Sequence, residues 1–167
     1  MSAGRVTAFI ALGANLDDPE RQVRQGVAAL AGLPETELVR ASSLYRSAPV
    51  GYRDQPDFIN AVAELATGLA PRALLDQLLA LERSRGRARD FPNAPRTLDL
   101  DIIVYGDLVL HEHGLTIPHP RMHERAFVVV PLAEIAPEAI VPGRGHAHGL
   151  VAGVDAASVV KLLAARV

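Results

Sequence analysis

The order of strand-like and helix-like patterns along the chain constrains its fold most. Apolar runs rich in β-branched residues predict strands at 6–12, 37–45, 58–65 and 98–105. Apolar residues at helical spacing predict helices at 19–32 and from Pro71 through a leucine stripe that ends at Leu81. Strand, helix, strand, strand, helix, strand is the order of the split β-α-β unit. We therefore expect an α+β protein with a ferredoxin-like βαββαβ core, in which an antiparallel sheet lies between two helical layers.

Local signals set the boundaries of other elements. Asp18 is expected to cap the first helix, with Pro19 at its first position. The Gly106-Asp107 pair predicts a hairpin turn into a short return strand that ends at Leu110. The segment 127–135 predicts a short helix, and Asp155 is expected to cap a last helix that carries Val159, Val160, Leu162 and Leu163. We expect these two helices to cover the second face of the sheet, and the whole chain, 1–167, to form one domain.

Two acidic residues in the fourth predicted strand point to chemistry. Side chains alternate along a strand, so Asp99 and Asp101 share one face while Leu98, Leu100 and Ile102 share the other. Alternate residues lie about 6–7 Å apart, and two carboxylates at that spacing can hold a hard cation or a pair of Mg²⁺ ions. A surface salt-bridge network is the alternative. Because aspartate is disfavoured in strands, we favour the catalytic interpretation.

Five arginines come just before the acidic strand. The planar guanidinium of arginine matches phosphate oxygens. Arg83 and Arg85 fall in the last turn of a helix, where they can serve the helix dipole, whereas the other three lie beyond it. No lysine follows a glycine-rich segment as a Walker-type phosphate loop requires, so that loop is excluded. Arginines followed by paired acids indicate Mg²⁺-dependent phosphoryl or nucleotidyl transfer, with Arg87, Arg89 and Arg96 as phosphate ligands.

Composition excludes several classes of protein. The 167 residues are 49% hydrophobic, enough for a substantial core. There are no cysteines, so disulfides and thiolate metal sites are excluded. The formal net charge of −2 gives no overall field that would attract nucleic acid. The first residues lack a signal-peptide layout and no apolar run reaches a membrane span. We therefore expect a cytoplasmic protein with neither nucleic acid nor a membrane as partner.

Three more positions are candidates for ligand contact. Phe58 and Asn60 share a strand face, where a ring beside an amide can bind a flat heterocycle; a core phenylalanine and an edge asparagine are equally consistent. Asn15 lies where a strand passes to a helix, and taken alone it is better explained as a turn residue.

A histidine-rich segment follows the acidic strand. His119 lies between Pro118 and Pro120, which fix the backbone, so its imidazole is stiffly presented and can face a phosphate. The neighbouring histidines at 111, 113 and 123 raise the alternative of a zinc site. No pair at helical ligand spacing with a third ligand is evident, so zinc is disfavoured.

Six motifs in order along the chain support a family resemblance. They are Phe9 to Leu16, Ser43-Leu-Tyr-Arg-Ser47, Asp54 to Ala61, Gly86-Arg-Ala-Arg89, Pro95-Arg-Thr-Leu-Asp-Leu-Asp101-Ile, and Ile117-Pro-His-Pro with Arg125-Ala-Phe127. Together they resemble the 6-hydroxymethyl-7,8-dihydropterin pyrophosphokinase family, up to about Pro137. The resemblance implies a ferredoxin-like fold and transfer of the β,γ-diphosphate of ATP to the pterin hydroxymethyl group, with release of AMP, in folate biosynthesis.

The resemblance also assigns roles to residues, motif by motif. Two Mg²⁺ ions would bind Asp99 and Asp101, and Asp101 would be a candidate proton acceptor. The catalytic arginines would be Arg87 and Arg96. The ATP site would comprise Glu82, Arg87, Arg89, Arg96, His119 and Arg125. The pterin site would comprise Ser47, Ala48, Val50, Phe58, Asn60, Phe127 and Asn15. We expect a monomer that acts on these two small molecules.

Two other functions compete with this interpretation. A nucleotidyltransferase also uses paired acids and Mg²⁺, but would release pyrophosphate. An RNA-binding module of the same fold would carry paired aromatics in a characteristic strand motif. Aromatic residues make up only 4% of this chain and that motif is absent, which disfavours RNA binding.

Overall fold

The computed structural model of the protein describes residues 4–49, 54–85 and 97–162. The elements of the core are β1 (Val6–Ala14), α1 (Pro19–Leu30), β2 (Thr36–Ala41), β3 (Tyr45–Ser47), β4 (Phe58–Thr67), α2 (Pro71–Ser84) and β5 (Asp99–Tyr105). The following elements are β6 (Leu110–Glu112), β7 (Leu115–Ile117), a 3-10 turn (Met122–Glu124), α3 (Ala126–Ile135), β8 (Ile140–Val141), β9 (Gly145–His146) and α4 (Ala147–Leu150). The described chain closes with 3-10 turns at Val151–Gly153 and Ala156–Ser158 and with β10 (Val159–Lys161).

The main sheet has the predicted ferredoxin-like arrangement. Its strands lie in the order β10-β3-β4-β1-β5, with β2 also paired to β4, and the pairings are antiparallel. The interior strand β1 alternates between two apolar layers. Ile10 and Leu12 belong to the core under α1 and α2, whereas Phe9 packs in a second core under α3. Both faces of the sheet are therefore covered by helices.

The second strand is interrupted, contrary to the prediction of one strand at 37–45. β2 and β3 both pair with β4, but the regular ladder is interrupted between them, where Ser42 N still donates to Val62 O at 2.9 Å. There Ser42 Oγ accepts a hydrogen bond from Val62 N at 2.9 Å, which replaces a strand contact. A serine hydroxyl competes with the backbone in this way because it is short and close to the main chain.

Two local predictions before residue 111 were wrong. Asp18 precedes α1, and Pro19 does occupy the first turn, but Asp18 has a left-handed φ of 61° and its side chain makes no capping hydrogen bond. The turn at Gly106 is present, but the return strand does not pair with β5. Leu110 of β6 pairs instead with Ile117 of β7.

The predicted last helix is also wrong. Asp155 does cap, by accepting from Ala157 N at 3.2 Å, but the capped element is a single 3-10 turn. The residues that follow form β10, in which Val159 pairs with Ser47 of β3. Two adjacent valines favour a strand where an edge is open to pairing, and β3 supplies that edge. The second face of the sheet is therefore covered by α3, and β10 widens the sheet.

Within the described residues, none of the helices combines the length and the apolar character needed to cross a bilayer.

A carboxylate in α3 ties this helix to the sheet edge. Glu134 accepts hydrogen bonds from Ser43 N at 3.0 Å, Ser43 Oγ at 2.8 Å and Tyr45 OH at 2.8 Å, and it lies 3.5 Å from Lys161 Nζ. Burial acts to raise the pKa of Glu134, but these hydrogen bonds and the lysine outweigh it, so the pKa lies below its ordinary value. Burial and the bond to Glu134 raise the pKa of the Tyr45 phenol. The carboxylate is thus held charged between α3, β3 and β10.

We predict that Glu134→Gln destabilises the protein by about 1–3 kcal/mol, because an amide places N–H groups against donors that now meet carboxylate oxygens. Since the folded pKa is depressed, this contribution is complete above about pH 4.5 and is lost as the pH falls below that value. Urea unfolding between pH 4 and 8 measures both effects. The matched control is Glu20→Gln on the solvent-facing side of α1. There the carboxylate lies 3.6 Å from Arg24 and contributes less than about 0.5 kcal/mol. Equal stability of the two variants would contradict the assignment.

Candidate active site

The strand register builds a trough across the sheet on the α3 side. Asn60 of β4 pairs with Gly13 of β1, and Gly13 pairs with Asp99 of β5. At the next position on the same face of the sheet, Ala11 of β1 pairs with Asp101 of β5. Neighbouring strands lie about 4.8 Å apart, so the amide and the carboxylates stand roughly 10 Å from each other. Only small residues of β1 lie between them, which leaves room for a ligand.

This trough is the floor of a cavity of about 480 Å³. The floor comes from β3, β4, β1 and β5, and the segment 119–128 forms the opposite wall. Such a volume suits a small molecule. Nine of the predicted site residues line it: Ser47, Ala48, Phe58, Asn60, Asp99, Asp101, His119, Arg125 and Phe127.

One end of the cavity carries a buried amide and an aromatic ring. Asn60 is buried, and its Nδ2 donates to Ser47 Oγ at 2.7 Å. This bond fixes the amide plane. A Cβ added to Gly13 would lie 3.2 Å from Asn60 Oδ1, so a glycine keeps this side of the trough open. Phe58 stands one cross-strand pair further along, opposite Ser47, and supplies an apolar ring.

The other end carries the two acids. Asp99 and Asp101 are half-buried and line the cavity, whereas Leu100 between them is buried on the opposite face. The buried Glu82 of α2 accepts from Leu100 N at 2.6 Å. Glu82 therefore anchors the peptide that joins the two acids, from outside the cavity lining. Two carboxylates side by side are hard oxygen donors, the set that Mg²⁺ prefers.

His119 reaches the acidic end with a fixed orientation. Its N donates to Ile103 O at 3.0 Å, and its Nδ1 accepts from Arg121 N at 3.2 Å. The neutral ring therefore carries its proton on Nε2. Burial, helped by Arg125 and Arg121 and opposed by Asp99, lowers the pKa of His119 to about 4. At neutral pH the imidazole is an uncharged hydrogen-bond donor.

The wall opposite the sheet starts at the entry to α3. Arg125 precedes the helix and Phe127 lies in its first turn. The Arg125 guanidinium carbon is 5.7 Å from the centroid of the Phe127 ring, a cation–π distance. At the start of α3 the wall thus presents the Arg125 guanidinium and the Phe127 ring to the cavity.

Two further polar residues, Asn15 and Arg85, make hydrogen bonds that hold neighbouring segments in place. Asn15 does not line the cavity; its Nδ2 donates to Gln55 Oε1 at 2.8 Å and to Pro56 O at 3.0 Å, which holds the segment before β4. Arg85 donates to Gln22 Oε1 at 3.0 and 2.7 Å and to Gln25 Oε1. Its guanidinium therefore joins α2 to α1, in agreement with a structural role.

Four predicted site residues, Val50, Arg87, Arg89 and Arg96, lie outside the described residues.

The cavity also has polar lining that the sequence did not reveal: Arg121, Glu124, Asp155 and Ser158. Arg121 Nε lies 3.3 Å from Glu124 Oε1, so these two form a pair at the rim. Because Arg121 and Glu124 lie close to His119 in the sequence, they could have been predicted as residues of the same site. Asp155 and Ser158 gave none, because their place beside β3 depends on the pairing of β10.

Comparison with known proteins gives a consistent result. The sequence matches the family described as 7,8-dihydro-6-hydroxymethylpterin-pyrophosphokinase over residues 9–137. It is 48% identical over 137 residues to the 2-amino-4-hydroxy-6-hydroxymethyldihydropteridine pyrophosphokinase of Haemophilus influenzae, covering 82% of this chain and 86% of that protein. The proteins of the same name from Pseudomonas aeruginosa and Bacillus subtilis are 48% identical over 144 residues (86% and 89% covered) and 44% identical over 128 residues (77% and 77% covered).

Solved structures show the same fold. The wild-type Plasmodium falciparum HPPK-DHPS with pteroate superimposes with a TM-score of 0.71 at 12% identity, over 89% of this chain and 44% of that one. Another wild-type structure of HPPK-DHPS from that organism gives a TM-score of 0.67 at 13% identity, over 89% and 41%. This chain thus spans less than half of the length of those chains.

We predict that His119 in the metal-free protein stays neutral, protonated on Nε2, until the pH approaches about 4. Because the unfolded residue takes up its proton near pH 6.5, the folded state loses stability as the pH falls from about 6.5 towards 4. Imidazole ¹⁵N NMR reports both the pKa and the tautomer. Arg125→Ala should raise the pKa of His119, since it removes a nearby positive charge. Arg21→Ala, at an exposed position of α1, should leave that pKa unchanged. An Nδ1-protonated ring or an ordinary pKa would contradict the described environment.

Proposed function

The chain belongs to the 7,8-dihydro-6-hydroxymethylpterin-pyrophosphokinase family, and from this we propose that the trough holds the pterin at Asn60 and the ATP phosphates at Asp99 and Asp101. The protein is a pyrophosphokinase of folate biosynthesis. It transfers the diphosphate of ATP to 6-hydroxymethyl-7,8-dihydropterin. The observation that carries the placement of the substrates is the pairing of Asn60 and Asp99 with opposite sides of Gly13.

The pterin is proposed to lie at the amide end of the cavity. A pterin is flat and has donors and acceptors along its edge, which the Asn60 amide can match in a fixed orientation because Ser47 holds its Nδ2. Phe58 from the sheet and Phe127 from the opposite wall provide the ring contacts. Ala48, Val50 and Asn15 complete the proposed pterin set, with Asn15 acting through the segment that it anchors.

The triphosphate is proposed to lie at the acidic end. Asp99 and Asp101 would hold two Mg²⁺ ions, which supply positive charge to the phosphates. His119 would donate its Nε2–H to a phosphate oxygen, as its fixed tautomer permits. Arg125 adds a cation from the wall. Arg87, Arg89 and Arg96 are proposed to complete the phosphate contacts, and Glu82 to position the acids through Leu100.

The proposed step is an in-line displacement. The pterin hydroxymethyl oxygen forms a bond to the β-phosphorus, the bond from that phosphorus to the α–β bridging oxygen breaks, and AMP leaves with that oxygen. The hydroxyl proton passes to Asp101 or to solvent. Arg87 and Arg96 stabilise the charge that develops on the transferred group. The trough contributes by holding the two reactants in this alignment.

We also propose that residues 1–167 act as one domain and as a monomer in the cytoplasm, where ATP is available. Sedimentation equilibrium at assay concentration tests the oligomeric state.

The decisive assay identifies the products formed from ATP, Mg²⁺ and the pterin. AMP formed only with pterin, together with a diphosphorylated pterin, is the expected outcome. Release of free pyrophosphate with a nucleotide-linked product would instead assign nucleotidyl transfer.

We predict that Gly13→Ala weakens pterin binding by about tenfold, the equivalent of roughly 1.4 kcal/mol, because its methyl group meets Asn60 Oδ1 at 3.2 Å and displaces the amide. Binding of an unreactive ATP analogue should change little. Separate calorimetric titrations with the pterin and with the ATP analogue measure the two affinities. Gly153→Ala is the matched control, since a Cβ there meets nothing within 4 Å. Equal losses for pterin and nucleotide would contradict the proposed division of the trough.

We predict that Asp101→Asn lowers kcat by on the order of 10²–10³ and raises the Mg²⁺ concentration needed for half-maximal rate, because it removes a charged oxygen donor. A steady-state Mg²⁺ titration measures both. Asp107→Asn, in the exposed turn after β5, is the control and should match the wild type. An unchanged Mg²⁺ requirement in Asp101→Asn would refute the metal assignment.

We predict that Arg96→Ala lowers kcat by on the order of 10²–10³, by analogy with loss of a transition-state donor. Arg83→Ala, at the exposed end of α2, should retain activity. Near-normal turnover of a folded Arg96→Ala protein would remove Arg96 from the mechanism.

A further inference from the structure

A second group of ligating side chains lies on the surface, at the hairpin formed by β8 and β9. Glu138, His146 and His148 are exposed, and one carboxylate oxygen of Glu138 and one ring nitrogen of each histidine lie within 4.8 Å of one another. None of them lines the active-site cavity. We propose that these three residues bind a divalent transition-metal ion of the Zn²⁺ class and that the ion clips the hairpin closed.

The backbone brings the three residues together without an ion. Ile140 pairs with His146 in the hairpin. Ala139 O accepts from Ala147 N at 2.8 Å, and Pro137 O accepts from His148 N at 3.0 Å. Glu138 therefore sits between two anchored carbonyls, opposite the segment that carries both histidines. A site prepared in this way costs little ordering when it binds its ion.

The first histidine has a defined free nitrogen. Nδ1 of His146 lies 3.0 Å from Glu138 O. A carbonyl oxygen can only accept, so Nδ1 carries the proton and Nε2 keeps its lone pair. A ligating histidine characteristically donates its other N–H to a carbonyl or carboxylate, and this contact satisfies that requirement.

The remaining geometry suits a shared ion. His148 Nε2 lies 3.8 Å from Glu138 Oε1, and the two imidazole rings are stacked with centroids 5.4 Å apart and planes at 12°. Donors about 2.0–2.2 Å from a tetrahedral ion lie roughly 3.4 Å apart. Because the Glu138 and His148 side chains are exposed, a small change of rotamer can bring their donor atoms from 3.8 Å to this separation. Two imidazoles and one carboxylate match zinc better than Mg²⁺, which prefers oxygen.

The ion would stabilise a part of the chain that packs on α3. Ala147 lies between the two histidines and is buried in the core shared with α3. A ligand that binds the folded state but not the unfolded chain raises the melting temperature, and the rise grows with the logarithm of ligand concentration above the dissociation constant. The site is therefore assigned a structural role, separate from diphosphate transfer.

The test is a Zn²⁺ titration of metal-free protein against a chromophoric chelator. All proteins carry Asp99→Asn and Asp101→Asn, so that the active-site acids cannot supply the signal. His146→Ala and Glu138→Gln should each weaken Zn²⁺ binding by at least about tenfold, the cost of losing even an indirect ligand contact. The exposed His111→Ala serves as the matched control and should bind Zn²⁺ as its parent does. Melting curves in EDTA verify that every variant is folded.

A second readout locates the ion. In the parent, Co²⁺ should broaden the imidazole NMR signals of His146 and His148 at one equivalent, and Zn²⁺ should raise the melting temperature; both effects should vanish in His146→Ala. Undiminished Zn²⁺ affinity in His146→Ala, or broadening that spares His146, would overturn the proposal. Pterin turnover by His146→Ala in the otherwise wild-type protein should be normal, so failure of this site and failure of the proposed active site are distinguishable.

Discussion

The pairing of β1 with both of its neighbours is the constraint on which the rest of the structure depends. Gly13 faces Asn60 on one side and Asp99 on the other, and Ala11 faces Asp101. A shift of this register by one residue would turn Asn60 or the acids towards the apolar core. The apolar alternation of β1 prevents this, because Ile10 and Leu12 must remain under α1 and α2. The core thereby fixes the geometry of the active site.

The acids in β5 are an unfavourable choice that the structure compensates locally. Aspartate lowers strand propensity, and two on one face repel each other. The strand is held nonetheless, since Leu100 and Ile102 are buried on the other face and Glu82 accepts from Leu100 N at 2.6 Å.

The features that follow a local period could be predicted from the sequence. Alternation along a strand was enough to place Asp99 and Asp101 on one side and Leu100 on the other, as the structure has them. Helical spacing was enough for α1 and α2. The meeting of Asn60 with Asp99 across Gly13 could not be derived in this way, because it depends on a register between strands far apart in the chain.

The predictions that failed also depended on contacts between segments that lie far apart in the chain. The local pattern around Val159 is compatible with either a helix or a strand. The segment forms a strand because the open edge of β3 offers backbone groups to pair with. Ser42 interrupts the second strand through a bond to Val62 that no local pattern announces. Asp155 and Ser158 line the cavity only as a result of that edge pairing, so no local sequence pattern indicated them.

The most direct test of the account is a crystal structure of the protein with the pterin, Mg²⁺ and an unreactive ATP analogue. We expect the pterin edge to bond to Asn60 above Gly13, and Mg²⁺ to lie between the phosphates and the carboxylates of Asp99 and Asp101. A pterin bound away from Asn60, or phosphates that leave both acids without metal, would contradict it.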